Sequence, residues 1–316
     1  MANAKYLQSG KTLDYTPAAA IGAGGIVQLP DGRAGYIGGS GLAAGQLGGA
    51  CVEGVCRLPK AAGIHLLAGG RAYWDYSAKT ATFKKVNDRD YYLGRVVLDA
   101  AASDPEVDVA LNVDPPYDID VLRDGALSVA TGTVAAGGFG LPAVYGGARG
   151  LTLTATNEAQ CVDILSVDRF ATNAKPIVEA IIRVSANGST NAVDFNIGLA
   201  NGTSTTDADA VTEHVYFHLD GGSLDIAAQS RDGTTTVTAT DTTVDITVGS
   251  AVADRFEFWF DGRDPANIQL YVNGVRVLPS VTFRLDNANG PLGLLAHLEK
   301  TSSAATAGPI YIDALR

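Results

Sequence analysis

The stretch Ala253 to Leu278, ADRFEFWFDGRDPANIQLYVNGVRVL, states the architecture most plainly. Phe256, Phe258 and Phe260 alternate with Arg255, Glu257 and Trp259, and a period of two places the three phenylalanines on one face of a half-buried strand. After the polar turn Asp261 to Ala266, the residues Ile268, Leu270 and Val272 alternate again. Asn273-Gly274 supplies two residues that accept positive φ, so a tight hairpin is expected before Val275 and Val277. The stretch therefore predicts antiparallel sheet packed through a phenylalanine face onto a core.

The same signals recur outward from it. Val193, Phe195, Ile197 and Leu199 face away from Asp194, Asn196 and Gly198, and Val211 to Leu219 and Ser223 to Gln229 flank the turn Asp220-Gly221-Gly222. Thr234 to Ala239 and Ile310 to Leu315 read as further strands. Such a series over residues 151–316 predicts a two-sheet sandwich. Upstream, short strands are expected at Ile26 to Leu29, Arg33 to Ile37, Cys51 to Leu58, Arg71 to Tyr76, Thr80 to Lys85, Tyr91 to Leu98 and Glu106 to Val113, with one short helix in Pro59 to Gly70. This pattern predicts a small barrel-like β domain over residues 1–112. Residues 113–150, with Pro115-Pro116 and the glycines of Ala135 to Gly140, read as a connector. The chain is all-β on this reading, in line with its 37 glycines.

Charge is unevenly placed along the 316 residues. Residues 1–112 carry 11 Lys and Arg against 10 Asp and Glu, whereas residues 113–316 carry 12 against 24, within a total of −11. An acidic second half is a poor surface for a nucleic-acid backbone, which needs clustered cations. No run of about 18 apolar residues is present to span a bilayer, and the opening MANAKYLQSGKT lacks the layout of a signal peptide, so synthesis in a host cytoplasm is expected. Cys51 and Cys56, five apart in one expected strand, point to opposite faces and are expected as free thiols.

Residues 4–15 read as an extended arm whose handles are Lys5, Tyr6, Leu7, Leu13 and Tyr15. Ser9-Gly10-Lys11-Thr12 imitates the end of a phosphate-binding loop, but Lys5 stands where the first glycine is required and no strand precedes it.

VEGVCRLPKAAG (52–63), AGGRAYWDYSAKT (68–80), LGRVVLDAA (93–101) and EVDVALN (106–112) resemble, in that order, a family of small phage and prophage proteins encoded near capsid genes and often labelled RecA/RadA-like recombinases. The missing loop glycine speaks against that label. The resemblance implies a capsid decoration, or cement, protein on the outer surface of a phage head, usually trimeric. Its partner would be the major capsid protein, with the arm residues Lys5, Tyr6, Leu7, Leu13 and Tyr15 as the contact. Further along, HVYFHLDGGSLDIAAQSRDGT (214–234) and RFEFWFDGRDPANIQLYVNGVRV (255–277) are similar to concanavalin-like, laminin-G-type jelly rolls, a fold that hosts lectins, hydrolases and structural modules alike.

Candidate chemistry is sparse. His214 and His218 lie on one face of an expected strand, about 13 Å apart at ~3.3 Å per residue, too far for one metal ion. With Tyr216 they form a polar, aromatic strip, the possible glycan face. Asp261, Asp264 and Asn267, and Asp207 with Asp209, offer oxygen atoms without the spacing of a calcium loop. Glu213 and Glu257 are strand acids without the facing pair that glycoside hydrolysis needs. No nucleophile elbow or dinucleotide fingerprint occurs. A structural virion protein is expected, neither an enzyme nor a cofactor binder, with a glycan-binding head fibre as the alternative.

Overall fold

The computed structural model describes residues 11–115, 119–124, 126–131, 149–154, 157–184, 192–247, 253–303 and 307–316. The chain is all-β and divides between Pro116 and Tyr117 into two compact units.

Among the described residues the first unit holds nine strands: β1 (Thr12–Tyr15), β2 (Ile26–Gln28), β3 (Ala34–Ile37), β4 (Gly48–Cys51), β5 (Val55–Pro59), β6 (Arg71–Asp75), β7 (Thr80–Thr82), β8 (Tyr91–Val96) and β9 (Glu106–Leu111). They form a four-stranded sheet in the order β1-β4-β3-β2 and a five-stranded sheet in the order β5-β9-β8-β6-β7. The expected barrel does not close. The edges of the larger sheet meet only at one parallel bridge, Lys60 to Ala81, where the Ala61 N–H donates to the Ala81 carbonyl at 2.9 Å. A second departure is the expected strand Cys51 to Leu58, which breaks at Gly54 (φ +111°), so Cys51 and Cys56 fall in different sheets. Both thiols are free and half-buried. The expected helix in 59–70 is replaced by irregular chain pinned by the bridge Leu66 to Ala100.

The arm reading stops short of Tyr15. Thr12–Tyr15 is an edge strand in register with β4, and Leu13 and Tyr15 pack half-buried on the core of Val27, Leu29, Ile37, Ala50 and Val52. Their i, i+2 spacing puts both on one strand face, which explains the pairing. Lys5, Tyr6 and Leu7 lie outside the described residues.

Asn112 ties the two small sheets together. Its φ of +56° turns the amide inward, where Oδ1 accepts from the Ala34 N–H (2.9 Å) and Nδ2 donates to the carbonyls of Ala34 (2.9 Å) and Val52 (2.7 Å). Asn112→Ala strands these backbone groups. It should cost the first unit about 2 kcal/mol, on the scale of ~1–3 kcal/mol per orphaned group, seen as an earlier denaturant midpoint with the slope unchanged.

Among the described residues the second unit holds thirteen strands: β10 (Ala126–Thr131), β11 (Arg149–Leu153), β12 (Glu158–Ser166), β13 (Ile177–Val184), β14 (Val193–Ala200), β15 (Glu213–Asp220), β16 (Asp225–Asp232), β17 (Thr236–Asp245), β18 (Asp254–Asp261), β19 (Gln269–Val272), β20 (Val275–Val277), β21 (Gly293–Ser303) and β22 (Ala307–Leu315). A seven-stranded sheet, β10-β12-β21-β14-β15-β16-β17, packs on a six-stranded one, β11-β22-β13-β18-β19-β20, as a jelly-roll sandwich. Phe258 and Phe260 of one sheet meet Phe217 of the other, with ring centroids 4.3 and 5.1 Å away. The expected hairpin is present: Val272 pairs with Val275 across Asn273 (φ +51°) and Gly274 (φ +78°). Part of the expected connector belongs to this fold, because Val121–Asp124 forms a short helical turn and β10 pairs along its whole length with β12. Lying between Gly125 and Gly132, the segment ALSVAT has enough β-branched character to add an edge strand, which glycine content alone concealed.

Candidate functional site

Strand alternation puts the hydrophobic set Val162, Ile164, Phe195, Ile197, Val215, Phe217, Ala296 and Leu298 into the sandwich core. Their alternating neighbours therefore face outward from the seven-stranded sheet. Cross-strand register assembles these outward residues into rows. Asp163 lies opposite His297, His297 opposite Asn196, and Asn196 opposite His218. In the next row Cys161 lies opposite Glu299, and Glu299 opposite Asp194.

This outward face is not open to solvent where the rows are richest. Asp163 is 1% exposed, His297 0%, Cys161 1% and Glu299 5%. The segment 201–212 lies over them. The Ala208 N–H donates to Glu299 Oε2 (3.1 Å), the Ser204 carbonyl is 3.5 Å from Cys161 Sγ, and Ala208 and Val211 pack with Leu165, Tyr216 and Leu295.

His297 is the centre of the cluster. Its Nδ1 contacts Asp163 Oδ1 and its Nε2 contacts Glu299 Oε2, so one imidazole is held between two carboxylates. Cys161 Sγ lies 3.8 Å from both ring nitrogens and 3.7 Å from Asp163 Oδ2. Burial alone would push His297 down, but the hydrogen bonds to Asp163, Cys161 and Glu299 hold its imidazolium well above the ordinary histidine value. Burial pushes the Cys161 thiol up, partly offset by His297. Burial likewise raises Asp194, to about 6, against the opposing pull of His218.

The strip His214, Tyr216 and His218 is on this face but does not form a shallow sugar platform. The three residues are 3%, 0% and 8% exposed. His214 stacks on Tyr216 with ring centroids 4.3 Å apart, and its Nδ1 meets the Val211 carbonyl at 2.9 Å. His218 Nδ1 instead meets Asn196 Oδ1 at 2.9 Å, so the two histidines have separate partners. An alternating strand face shows only that the three share a side. It is silent on the segment 201–212 that covers them. The Tyr216 hydroxyl and the Asn196 amide nitrogen are buried there with no hydrogen-bond partner among the described residues.

The acidic turns hold their own backbones. Asp261 pairs with Arg263 (2.6 Å), and Asp264 Oδ1 accepts from the Ala266 N–H at 3.0 Å. Asp207 Oδ1 accepts from the Asp209 N–H at 2.7 Å, as Asx turns do. Glu213 accepts from the N–H groups of Asn289 (2.8 Å) and Gly290 (2.9 Å), and Glu257 accepts from Trp259 Nε1 (2.9 Å). Cys161, Asp163 and His297, none of them among the candidates read from the sequence, bring their candidate ligand atoms within 4.8 Å of one another. Asp163 and His297 are 134 residues apart in the chain, and only the β12–β21 register brings them together.

The first unit has a different feature, a groove of about 1070 Å³ whose walls include Tyr15, Arg57, Tyr76, Lys79 and Arg89. Lys79 Nζ and the Arg89 guanidinium carbon lie 3.5 and 3.6 Å from the Tyr76 ring centroid. This gives the groove a cationic, aromatic wall.

No curated protein matches the chain. Among solved structures, the carbohydrate recognition domain of Emp46p in its potassium-bound form aligns at 12% identity over 60% of this chain and 86% of that one, with a TM-score of 0.38. A protein of unknown function from Shewanella oneidensis MR-1 aligns at 12% identity over 60% and 76%, with a TM-score of 0.38. LamAcat from Zobellia galactanivorans aligns at 12% over 55% and 78%, with a TM-score of 0.36. Likeness of this degree says nothing of ligand or activity. The stronger finding concerns the first unit, where residues 7–111 match the model of a family described as phage cement protein.

Proposed function

We propose that the chain is a structural virion protein that decorates the outside of a phage capsid, with its first unit seated on the major capsid protein and its acidic second unit displayed. The match of residues 7–111 to the phage cement family carries this reading, and it falls within the first unit. The groove beside Tyr15 supplies a docking surface of suitable chemistry, since Lys79 and Arg89 favour an acidic segment of the capsid subunit. Residues Lys5, Tyr6 and Leu7 belong to the proposed contact, as the resemblance to decoration proteins implies. A homotrimer fits the role physically, because linked copies make the second and third contacts intramolecular and raise avidity by about 10²–10⁴-fold. The role needs no turnover and no cofactor.

Added to cognate heads assembled without it, the full chain should co-sediment with them and raise the temperature at which they rupture. Lys79→Glu with Arg89→Glu should weaken that binding at least tenfold while leaving the circular dichroism spectrum unchanged, and light scattering should report a trimer. Heads that neither bind the chain nor gain stability would sink the reading.

A further inference from the structure

We infer that Cys161, Asp163 and His297 form a zinc-binding site in the second unit, with Glu299 fixing the imidazole from behind. The ligand set is the first argument. A thiolate, an imidazole and a carboxylate converging on one point suit zinc, whereas calcium and magnesium take oxygen shells. No other residues of these types meet in this way among those described.

Spacing is the second argument. Zinc bonds of about 2.3 Å to sulfur and about 2.0 Å to nitrogen or oxygen, at tetrahedral angles, place neighbouring ligand atoms roughly 3.3–3.6 Å apart. Cys161 Sγ lies 3.8 Å from His297 Nδ1 and 3.7 Å from Asp163 Oδ2, close to that spacing, whereas Asp163 Oδ1 directly contacts Nδ1, so the ion would enter by opening that contact. The ligands stand on two paired strands, with Asp163 opposite His297 in register, so the backbone holds them together whether or not the ion is bound.

The far side of the ring supplies the third argument. A zinc-bound histidine usually gives its other N–H to a carboxylate, which fixes the tautomer and the ring plane. Glu299 is so placed on His297 Nε2, and the Ala208 N–H holds Glu299 Oε2 in turn. The Tyr216 hydroxyl is buried on the same face with no hydrogen-bond partner among the described residues. Charge closes the argument. The buried carboxylates of Asp163 and Glu299 flank the ring and Cys161 stands beside them, so the group supplies the negative charge that offsets a dication. It would tie β12 to β21 beneath the segment 201–212.

The test uses the untagged full chain, unfolded with chelator and refolded with zinc sulfate or without metal. Elemental analysis should find one zinc per chain after exhaustive dialysis, and the melting temperature should be higher than that of the metal-free chain. Cobalt in place of zinc should give a thiolate-to-metal charge-transfer band. A Cys51→Ser, Cys56→Ser double variant should keep both the ion and the band, and Cys161→Ser should lose the band. Glu299→Gln should retain the band and bind zinc about 10–100-fold more weakly, the usual cost of losing an orienting carboxylate. Should Cys161→Ser fail to fold, the double variant alone decides the matter, since it leaves Cys161 as the one thiol of the chain. Zinc absent from the refolded wild type, or present there but lost from the double variant, would overturn the inference and leave the cluster a metal-free ionic group.

Discussion

Phe258→Ala should lower the unfolding free energy of the second unit by about 3–5 kcal/mol, the usual range for deleting a buried phenylalanine ring. Phe258 is fully buried, and its ring stacks on Phe217 of the opposite sheet at 4.3 Å and lies 6.1 Å from Phe256 of its own strand. On both sides its strand is paired, with Ala180 and Val272 in register, so the backbone cannot readily collapse into the space the ring leaves. A cavity therefore remains, and lost contacts add to lost burial. Denaturant titration of the full chain should show the second-unit transition at a lower midpoint and the first-unit transition unmoved. A loss below about 1 kcal/mol would mean that the three-phenylalanine face is not the sandwich core.

The parts of this fold that could be read in the sequence are those governed by neighbours along the chain. Phe256, Phe258 and Phe260 alternate because one sheet face meets a core, and Asn273-Gly274 tolerates the positive φ that a two-residue hairpin demands. Both facts are local. Gly54 also acts locally, but a single glycine in Cys51 to Leu58 does not say whether it bends one strand or ends it and starts another sheet. That the five-stranded sheet stays open was harder still to read, because the approach of Lys60 to Ala81 at its edges depends on tertiary curvature that no periodicity records.

The buried cluster was illegible for a related reason. His297 and Glu299 are visible as alternating polar residues in AHLEK, and Cys161 and Asp163 as the same in QCVDI. Polar residues at alternate positions ordinarily signal a solvated sheet face. Here the segment 201–212 covers that face, and which strand lies beside which is set by the jelly-roll order β12-β21-β14-β15. The one available signal was chemical: a cysteine and an aspartate two apart on a strand, where solvent exposure would favour neither thiol nor pairing. His214, Tyr216 and His218 misled in the opposite direction, because aromatic and imidazole side chains on one face suggest a platform, and their burial became visible only with Val211 and Ala208 in place.

His297→Ala should cost the second unit about 3–5 kcal/mol at pH 8, the range expected when one partner of a buried ion pair is removed and the other is left uncompensated. The experiment is run with chelator present in both proteins, so that no bound ion contributes. In the wild type the imidazolium sits between Asp163 and Glu299, and its hydrogen bonds keep it protonated well above the ordinary histidine range. A raised histidine gives stability that is fully present below the unfolded-state value of about 6.5 and is lost only as pH rises through the folded value. The wild-type cluster therefore stays compensated through neutral pH. Without the imidazole both buried carboxylates lose their cation, and burial already holds the Glu299 carboxyl above its ordinary value. A raised carboxyl has the same sign: its contribution is complete below about 4.3, the unfolded glutamate value, and drains away as pH rises through the folded value. The difference between variant and wild type should thus shrink as pH falls from 8 towards about 4.5, where the Glu299 carboxyl of the variant can protonate. Glu299→Gln added to His297→Ala should recover part of the loss at pH 8 by removing one of the two buried charges. Denaturant titrations across that pH range give the test, and a loss of constant size, or no rescue in the double variant, would show that the imidazole fills space there and compensates no charge.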